Sequence, residues 1–522
     1  MQDNKQTNQN NHGAASKKSP ALGAIKGFIM KNRFLICTIL LFIFVFGIRL
    51  YFSLHMQYFS NEETYQHLRY ARNIAENGPF STDHLVFDGR KISFMSTHDN
   101  ILALMSLMSD LDIMAKILNE LICAAFIIVT FIISREITKN DKASFIAALS
   151  AALIPYFTKS TFNTSVPETA ALFLIMVLLL LFLKIRQNKK LSSLYVFILV
   201  LASSISPLIL VFTISLIIFF IIASAYNIRL ERYEKELILF SLFVSIIIEL
   251  LFLRETLMAS GFSTIWGNIP QKIFRQWFPD LSIVYTAFLL GIATVIIAFR
   301  TTYVNLVRKN NPSFFIIFGI ILTTFMLLWL KVMKFDIGVL IISVMLPVIT
   351  SYFFADIEDY LRMTKISDKT NLIIFGLVCV IILTNALPTV SSITKSEAVV
   401  DKYDIAAMEW LKDNSYPEET VFCMPQYGNL IAYFAERKVV ANSDFLGIRN
   451  IDSVFEDINF VKTSTLKTNV IGTLNKYNVT YLVFTRKLDG NTFNNNMFND
   501  NCFDEAYLNK EVRILRLKCR LG

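Results

Sequence analysis

Long apolar runs separated by short polar segments occupy most of the chain. Each run has roughly 17–22 residues, which is enough to cross the hydrocarbon core of a bilayer as a helix. The pattern predicts a polytopic α-helical membrane protein with about eleven spans. The predicted spans are 34–54, 113–134, 143–158, 169–185, 192–207, 208–226, 236–253, 281–299, 313–330, 335–354 and 371–390.

Composition supports a membrane environment. Of 522 residues, 54% are hydrophobic and 17% are charged, and the mean hydropathy is +0.50. Soluble domains carry nearer ~25% charged residues. The formal charge of +9 does not indicate nucleic-acid binding, because the basic residues flank apolar runs, where they set orientation in the bilayer.

The distribution of basic residues predicts the orientation. If the N-terminus is cytoplasmic, the inside segments contain about twice as many Lys and Arg residues as the outside segments. We therefore expect a multi-pass protein of the plasma membrane with a cytoplasmic N-terminus and an extracytoplasmic C-terminus.

The spans divide the chain into three regions. Residues 1–33 form a basic cytoplasmic tail, and 34–392 form a transmembrane domain with long outer loops at 55–112 and 254–280. Residues 393–522 form an extracytoplasmic domain, which we expect to be a small α/β domain because helix-like and strand-like segments alternate in it. The helix-like segments are 403–411 and 427–434, and the strand-like segments are 421–422, 439–440, 481–484 and 513–517.

The cysteines do not form a metal-binding pattern. No Cys-x-x-Cys pair or Cys/His cluster occurs, so a zinc site of that type is not expected. A bridge between Cys502 and Cys519 is one option for the C-terminal domain. Its third cysteine, Cys423, leaves the pairing open.

The first outer loop contains candidate chemistry. Glu63 and His67 are four residues apart and share one face of a predicted helix, where a carboxylate and an imidazole can hold a divalent cation. A purely structural interpretation also fits, because Ser60 and Glu63 have the spacing of a helix capping box.

Several segments resemble a known family. The run from Glu63 to Arg69 resembles the Asp-x-Tyr-Tyr-His-x-Arg segment of the oligosaccharyltransferase catalytic subunits, particularly their archaeal branch. Segments in the same loop and in the tail resemble the corresponding parts of that family, namely 73–78, 87–90, 407–414, 427–428 and 433–441.

The resemblance implies a C-type glycosyltransferase fold and its chemistry. Such enzymes move a sugar or oligosaccharide from a polyprenyl-phosphate or pyrophosphate lipid to an acceptor on the outer face, which is a protein in the oligosaccharyltransferase branch. A divalent metal, Mn or Mg, assists the leaving group. By position, Glu63 and Glu168 correspond to the catalytic and metal-binding acids, with His67 as a further ligand. Lys334 and Arg69 correspond to lipid-phosphate contacts.

The chain departs from the family pattern in three places. The acceptor motif Trp-Trp-Asp-Tyr-Gly is reduced to Tyr427 and Gly428, which we assign to the acceptor site. The acidic pair of the second outer loop is reduced to Glu168, which also fits the first turn of a helix after Pro167. A later Thr-Ile-x-Glu signature appears as Thr-Ile-Trp-Gly at 264–267.

Two other functions remain open. The chain could be a non-catalytic relative of that family, or a transporter or lipid-handling protein. Glu120 and Glu249 lie in or near apolar runs, where a carboxylate is a functional candidate by default.

Overall fold

The computed structural model describes residues 32–80, 82–92, 96–254, 257–258, 283–309, 311–444, 451–490, 498 and 501–520. The α-helices among them are Arg33–His55, Glu62–Asn77, Thr97–Ser106, Leu111–Thr138, Asp141–Ala152, Pro155–Thr161, Pro167–Ile185, Ser192–Ser203, Ile209–Ala225, Arg232–Phe252, Ile283–Leu290, Ile292–Val304, Pro312–Trp329, Phe335–Arg362, Thr370–Thr394, Lys402–Asn414, Pro425–Leu430, Ile451–Thr463, Lys467–Lys476 and Arg486–Asp489.

Each predicted apolar run is helical in the structure. Six helices of the described residues are long and apolar enough to cross a membrane. Two runs are divided: Pro155 begins a new helix within 143–158, and Gly291 separates Ile283–Leu290 from Ile292–Val304. Proline lacks the N–H that continues a helix, and Gly291 has a φ of 87°, so both breaks have a local cause. The number of eleven spans stays a prediction.

Helix Phe335–Arg362 lies at the centre of the bundle. Nearly all of its residues from Gly338 to Phe354 are buried, and it packs against helices from both halves of the apolar region. Apolar side chains surround it on every side, as expected for a helix without a polar face. The bundle therefore has one large core rather than two separate halves.

The C-terminal region contains a five-stranded mixed sheet. Its strands are β3 Thr420–Phe422, β4 Lys438–Val439, β5 Val479–Thr485, β6 Phe503–Leu508 and β7 Val512–Leu517, in the spatial order β4-β3-β5-β7-β6. β3 pairs in parallel with β4 and β5, whereas β7 pairs antiparallel with β5 and β6. Helices and strands alternate along this region, and Cys502 and Cys519 are bonded as a disulfide. A separate extracytoplasmic domain of residues 393–522 stays a prediction.

The first outer loop joins this sheet. Besides two helices, the loop contains a short hairpin of β1 Thr82–Asp83 and β2 Arg90–Lys91. The N–H of Phe87 donates to the carbonyl oxygen of Val439 at 2.9 Å, and the N–H of Val439 donates to that of Leu85 at 2.9 Å. The loop therefore adds to the β4 edge and ties the membrane region to the C-terminal sheet.

Candidate functional site

The first and second outer loops lie side by side. The N–H of Ser60 donates to the carbonyl oxygen of Asn163 at 3.0 Å, and the N–H of Ser165 donates to Oγ1 of Thr64 at 3.0 Å. These bonds place the residues that precede Glu168 against the residues around Glu63. Two segments separated by about a hundred positions therefore bring their carboxylates to one place.

The Glu63 side chain pairs with a residue at the start of another helix and does not cap its own. The side chain of Asn61 caps the helix by accepting from the N–H of Glu63 at 3.0 Å, so the Ser60–Glu63 capping box is wrong. The Glu63 carboxylate instead accepts from Nζ of Lys334 at 3.0 Å. Lys334 precedes the central helix, and the negative charge of Glu63 is therefore directed into the site.

Glu168 occupies the first turn of helix Pro167–Ile185, with Pro167 at the first position of that helix. The structural interpretation of Glu168 is thus correct, and it does not exclude the functional one. The charge of Glu168 acts on both His67 and Lys334, and those residues also feel Glu63. The charges of four residues therefore act on one another: Glu63, Glu168, His67 and Lys334. We call these four, with His98 and Asp99, the acid/His cluster.

His98 and Asp99 complete the cluster. Nδ1 of His67 lies 2.8 Å from Oδ1 of Asp99, and Nδ1 of His98 lies 3.4 Å from the same oxygen. One possible ligand atom from each of His67, His98 and Asp99 lies within 4.8 Å of the other two. Sequence reasoning missed His98 and Asp99, although an adjacent His-Asp pair at the start of a helix in the same loop was an available signal.

The His67–Asp99 pair is ionised. Burial alone would lower the pKa of His67, but the charge of Asp99 and its hydrogen bond outweigh burial and raise that pKa to about 9. Burial would raise the pKa of Asp99, but the charges and hydrogen bonds of His67 and His98 together outweigh burial and lower that pKa. Burial lowers the pKa of His98, which is therefore neutral at physiological pH.

Glu62 adds a second carboxylate at the start of the same helix. Its Oε2 atom is buried and has no hydrogen-bond partner among the described residues. Burial and the neighbouring Glu63 raise the pKa of Glu62 to about 8. A buried acid with an unsatisfied oxygen is typical of a functional site rather than of a structural cap.

The C-terminal domain contributes Asp444 to the same region. Its Oδ2 atom accepts from Nε2 of Gln66 at 3.0 Å and from NH1 of Arg90 at 2.8 Å. Burial would raise the pKa of Asp444, but the Arg90 charge, the hydrogen bond from Gln66 and nearby cations together outweigh burial and lower that pKa. Lys334 and His67 also act on Asp444, so the residue borders the acid/His cluster.

The remaining predicted residues make structural contacts. Arg69 forms two parallel hydrogen bonds to Asp83, each of 2.6 Å. The hydroxyl of Tyr427 donates to Asp404 at 2.7 Å, and both Tyr427 and Gly428 are buried in helix Pro425–Leu430. The lipid-phosphate role of Arg69 and the acceptor role of Tyr427 and Gly428 stay predictions. The Thr-Ile-Trp-Gly segment and nearly all of the loop 254–280 lie outside the described residues.

The donor set suits a divalent cation. Carboxylates and imidazoles are the ligands of Mn²⁺ and Zn²⁺ in proteins, and carboxylates alone suit Mg²⁺. Glu63, Glu168 and His67 supply such groups from two loops, and the orphaned oxygen of Glu62 lies at the start of the same helix. Among the described residues, the group whose ligand atoms lie close enough to share one ion is His67, His98 and Asp99. A site that also uses Glu63 and Glu168 stays a prediction.

Solved structures with the same architecture are membrane glycosyltransferases. An oligosaccharyltransferase from Archaeoglobus fulgidus, tethered to an acceptor peptide, matches 86% of this chain and 69% of its own at 14% identity, with a TM-score of 0.60. ArnT from Cupriavidus metallidurans, bound to undecaprenyl phosphate, matches 93% of this chain and 98% of its own at 9% identity, with a TM-score of 0.57. Arabinofuranosyltransferase AftD from Mycobacteria matches 92% of this chain and 41% of its own at 10% identity, with a TM-score of 0.53.

The chain has the C-type glycosyltransferase fold, as the resemblance implied, and it is a multi-pass membrane protein. No protein-family model matches the sequence, and no curated protein matches it. At these identities the likeness establishes the fold. Two further structures of the archaeal enzyme carry Zn and sulfate in one case, and an inhibitory peptide with dolichol-phosphate in the other.

Proposed function

We propose that this protein is a membrane glycosyltransferase that moves a sugar or oligosaccharide from a polyprenyl-phosphate or pyrophosphate lipid to an acceptor. The observation that carries the proposal is the meeting of Glu63 and Glu168, from two separate loops, beside Lys334 at one end of the helix bundle. A purely structural role would not require two acids to approach each other, because like charges repel.

Each residue of the cluster has a defined task in this proposal. Glu63, Glu168 and His67 would hold a divalent cation, and His67 would release one ring proton when it binds the ion. The cation supplies charge stabilisation for the phosphate leaving group when it is bound. Lys334 offers its ammonium group to the lipid phosphate. Asp99 orients His67 through the 2.8 Å contact, as carboxylates commonly do for metal-binding imidazoles.

The solved structures with this fold support the choice of donor. ArnT carries undecaprenyl phosphate and the archaeal oligosaccharyltransferase carries dolichol-phosphate, both of which are polyprenyl-phosphate-type lipids. The archaeal enzyme also carries Zn and sulfate. A divalent cation and a lipid-linked donor for this chain, with Mn or Mg as the metal, are part of our proposal.

The orientation follows from the same proposal. The Cys502–Cys519 disulfide favours an oxidising compartment for the C-terminal domain, and the basic residues favour the opposite side for the N-terminus. With eleven spans in the plasma membrane, the acid/His cluster faces outward, beneath the domain of residues 393–522. An oligosaccharyltransferase-like reaction with a protein acceptor is the form of transfer that we propose.

A reconstituted transfer assay tests the proposal. The full chain in nanodiscs receives a polyprenyl-phosphate-linked sugar and candidate acceptors with Mn²⁺ or Mg²⁺. We expect Glu63→Gln and Glu168→Gln each to lower transfer by ~100-fold or more, as loss of a catalytic metal ligand does. Glu76→Gln is the matched control, because Glu76 is an exposed acid at the far end of the same helix.

The outcomes separate the competing functions. Metal-dependent transfer that persists in both cluster variants would refute the assignment of the site. If the protein binds the lipid-linked sugar but transfers it to none of the acceptors tested, the result would favour a non-catalytic relative. An ion-coupled flux through liposomes would favour a transporter.

A further inference from the structure

A second polar site lies at the other end of the same helices. A cavity of about 980 Å³ is lined by the first residues of helix Arg33–His55, the last turns of Leu111–Thr138 and Phe335–Arg362, and the start of Asp141–Ala152. Its size is that of a ligand-binding cavity. We call it the basic cavity, and it is lined by Arg33, Phe34, Leu35, Phe131, Ile132, Arg135, Glu136, Lys139, Asn140, Asp141, Lys142, Lys184, Glu358 and Arg362.

The basic cavity carries an excess of positive charge. Six of its lining residues are basic and three are acidic. Each acid already has cationic partners within the wall: Asp141 pairs with Arg135 at 2.7 Å, and Glu358 pairs with Arg362 at 2.7 Å. Glu136 likewise accepts from Lys139. The acids therefore organise the wall and leave an excess of cations to face an incoming anion.

Two cations of the wall lack an ion-pair partner among the described residues, although the charge of one of them, Lys184, acts on Glu136. Neither Arg33 nor Lys184 forms an ion pair with any residue that the structure describes. Arg33 contacts the ring of Phe34 with its guanidinium at 4.9 Å, and Lys184 lies in the last turn of its helix. These two side chains are therefore the natural contacts for a negatively charged ligand.

The depth of the basic cavity matches a membrane interface. Glu168 and Lys184 lie on the same helix, sixteen positions apart, which corresponds to about 24 Å along the axis. The hydrocarbon core of a bilayer is ~30 Å thick. If the acid/His cluster lies at one interface, the basic cavity therefore lies at the opposite one, where the positive-inside rule places anionic lipid and basic residues together.

The lining has two chemically distinct sides. Phe34, Leu35 and Ile132 are partly exposed and supply apolar side chains, whereas the basic residues come from the helix ends. A free phosphate has no use for the apolar side, but a phospholipid places acyl chains beside its charged head group. Basic cavities between transmembrane helices at the cytoplasmic interface are a known type of lipid head-group site.

We propose that the basic cavity binds the head group of an anionic phospholipid, with Arg33 and Lys184 as its phosphate contacts and Phe34 and Leu35 beside its acyl chains. This site is separate from the acid/His cluster and does not depend on the proposed transferase activity. Bound lipid would join helix Arg33–His55 to helix Pro167–Ile185 and stabilise the bundle.

Thermal unfolding of the full chain in detergent, with and without added lipid, tests the proposal. We expect phosphatidylglycerol to raise Tm and phosphatidylcholine to leave it unchanged, because only the former carries net negative charge. Arg33→Gln with Lys184→Gln should keep the Tm of the lipid-free protein and weaken phosphatidylglycerol binding by roughly tenfold or more. Native mass spectrometry of the same samples counts the bound lipid independently of unfolding.

The matched control is Lys190→Gln with Lys235→Gln. Both residues are exposed and carry the same charge, but neither lines the cavity. Lys190 follows helix Pro167–Ile185, and Lys235 lies in the first turn of helix Arg232–Phe252. This control should respond to phosphatidylglycerol as the wild type does. Equal loss in both double variants would overturn the site, and an equal Tm increase with inorganic phosphate alone would overturn the assignment to a lipid.

Discussion

Nζ of Lys334 lies 3.0 Å from Oε1 of Glu63, although the two residues are 271 positions apart. Both side chains remain partly exposed, at 35% and 38%. An ion pair of that exposure contributes ~0–1 kcal/mol to stability, so its benefit to folding is small. We infer that the two charges neutralise each other when no ligand is bound. Glu63 is then available to a cation and Lys334 to a phosphate.

Replacing Lys334 should therefore affect activity more than folding. We expect Lys334→Gln to leave Tm within about 2 °C and to raise the KM for the lipid-linked donor by ~10-fold or more, because a phosphate contact is lost. Lys334→Arg should retain most of the activity, since the charge remains. Lys331→Gln, an exposed lysine three positions earlier, is the control. An unchanged KM in Lys334→Gln would rule out the phosphate role.

Glu120 has a structural partner that the sequence did not indicate. Its buried carboxylate accepts from Nε of Arg49 at 2.5 Å and from the N–H of Asn163 at 2.8 Å. We expect Glu120→Gln to destabilise the protein by about 3–5 kcal/mol, because it leaves a buried, uncompensated guanidinium. Thermal unfolding in detergent measures this change.

The double variant Arg49→Met with Glu120→Leu provides the control for that prediction. Removing both charges removes the uncompensated one, so the double variant should be more stable than Glu120→Gln. A double variant that is destabilised by the sum of the two single effects would show that the pair is not the cause.

A substitution at Gly428 distinguishes a packing role of this residue from a role in acceptor binding. A Cβ at this position would lie 2.4 Å from the carbonyl oxygen of Ala441, which is backbone and cannot move freely. We expect Gly428→Ala to lower the free energy of unfolding by about 1–3 kcal/mol. Gly376→Ala is the control, because a Cβ there meets no atom within 4 Å and alanine favours a helix. Loss of transfer by Gly428→Ala at unchanged Tm would instead support the acceptor role.

The disulfide should stabilise the C-terminal sheet. Cys502 and Cys519 close a loop of 17 residues that contains the β6–β7 hairpin. A loop of this length contributes ~3 kcal/mol in the chain-entropy description. Cys502→Ser should therefore increase the rate of limited proteolysis within the hairpin, whereas Cys37→Ser, at an exposed free cysteine, should not. Equal proteolysis of both variants would contradict a stabilising bridge.

The sequence predicted the helical elements better than their ends. Apolar runs alone located every helix of the bundle, because length and hydropathy are sufficient for a helix in lipid. The breaks at Pro155 and Gly291 were not placed, although both residue types signal them. β6 was not predicted, since the adjacent acids Asp504 and Glu505 interrupt its apolar residues, and it is a strand because β7 pairs with it.

The site shows where sequence reasoning ended. The family resemblance predicted Glu63, His67, Glu168 and Lys334 as site residues. Their charges act on one another in the structure, and their roles stay predictions. His98 and Asp99 were missed because the loop that returns them to His67 has no periodic pattern. Asp444 was missed for a similar reason: its approach depends on the docking of the C-terminal sheet onto the first loop, which no local sequence feature reports.

Binding of Mn²⁺ to the full chain in nanodiscs, measured by electron paramagnetic resonance, most directly tests the meeting of Glu63 and Glu168. We expect one bound ion per wild-type chain, with ~10–100-fold weaker binding in Glu63→Gln and in Glu168→Gln and no change in Glu76→Gln. The two cluster substitutions should also be non-additive, because both act on one ion. Wild-type affinity in either cluster variant would show that the two loops do not share a cation and would contradict the central claim.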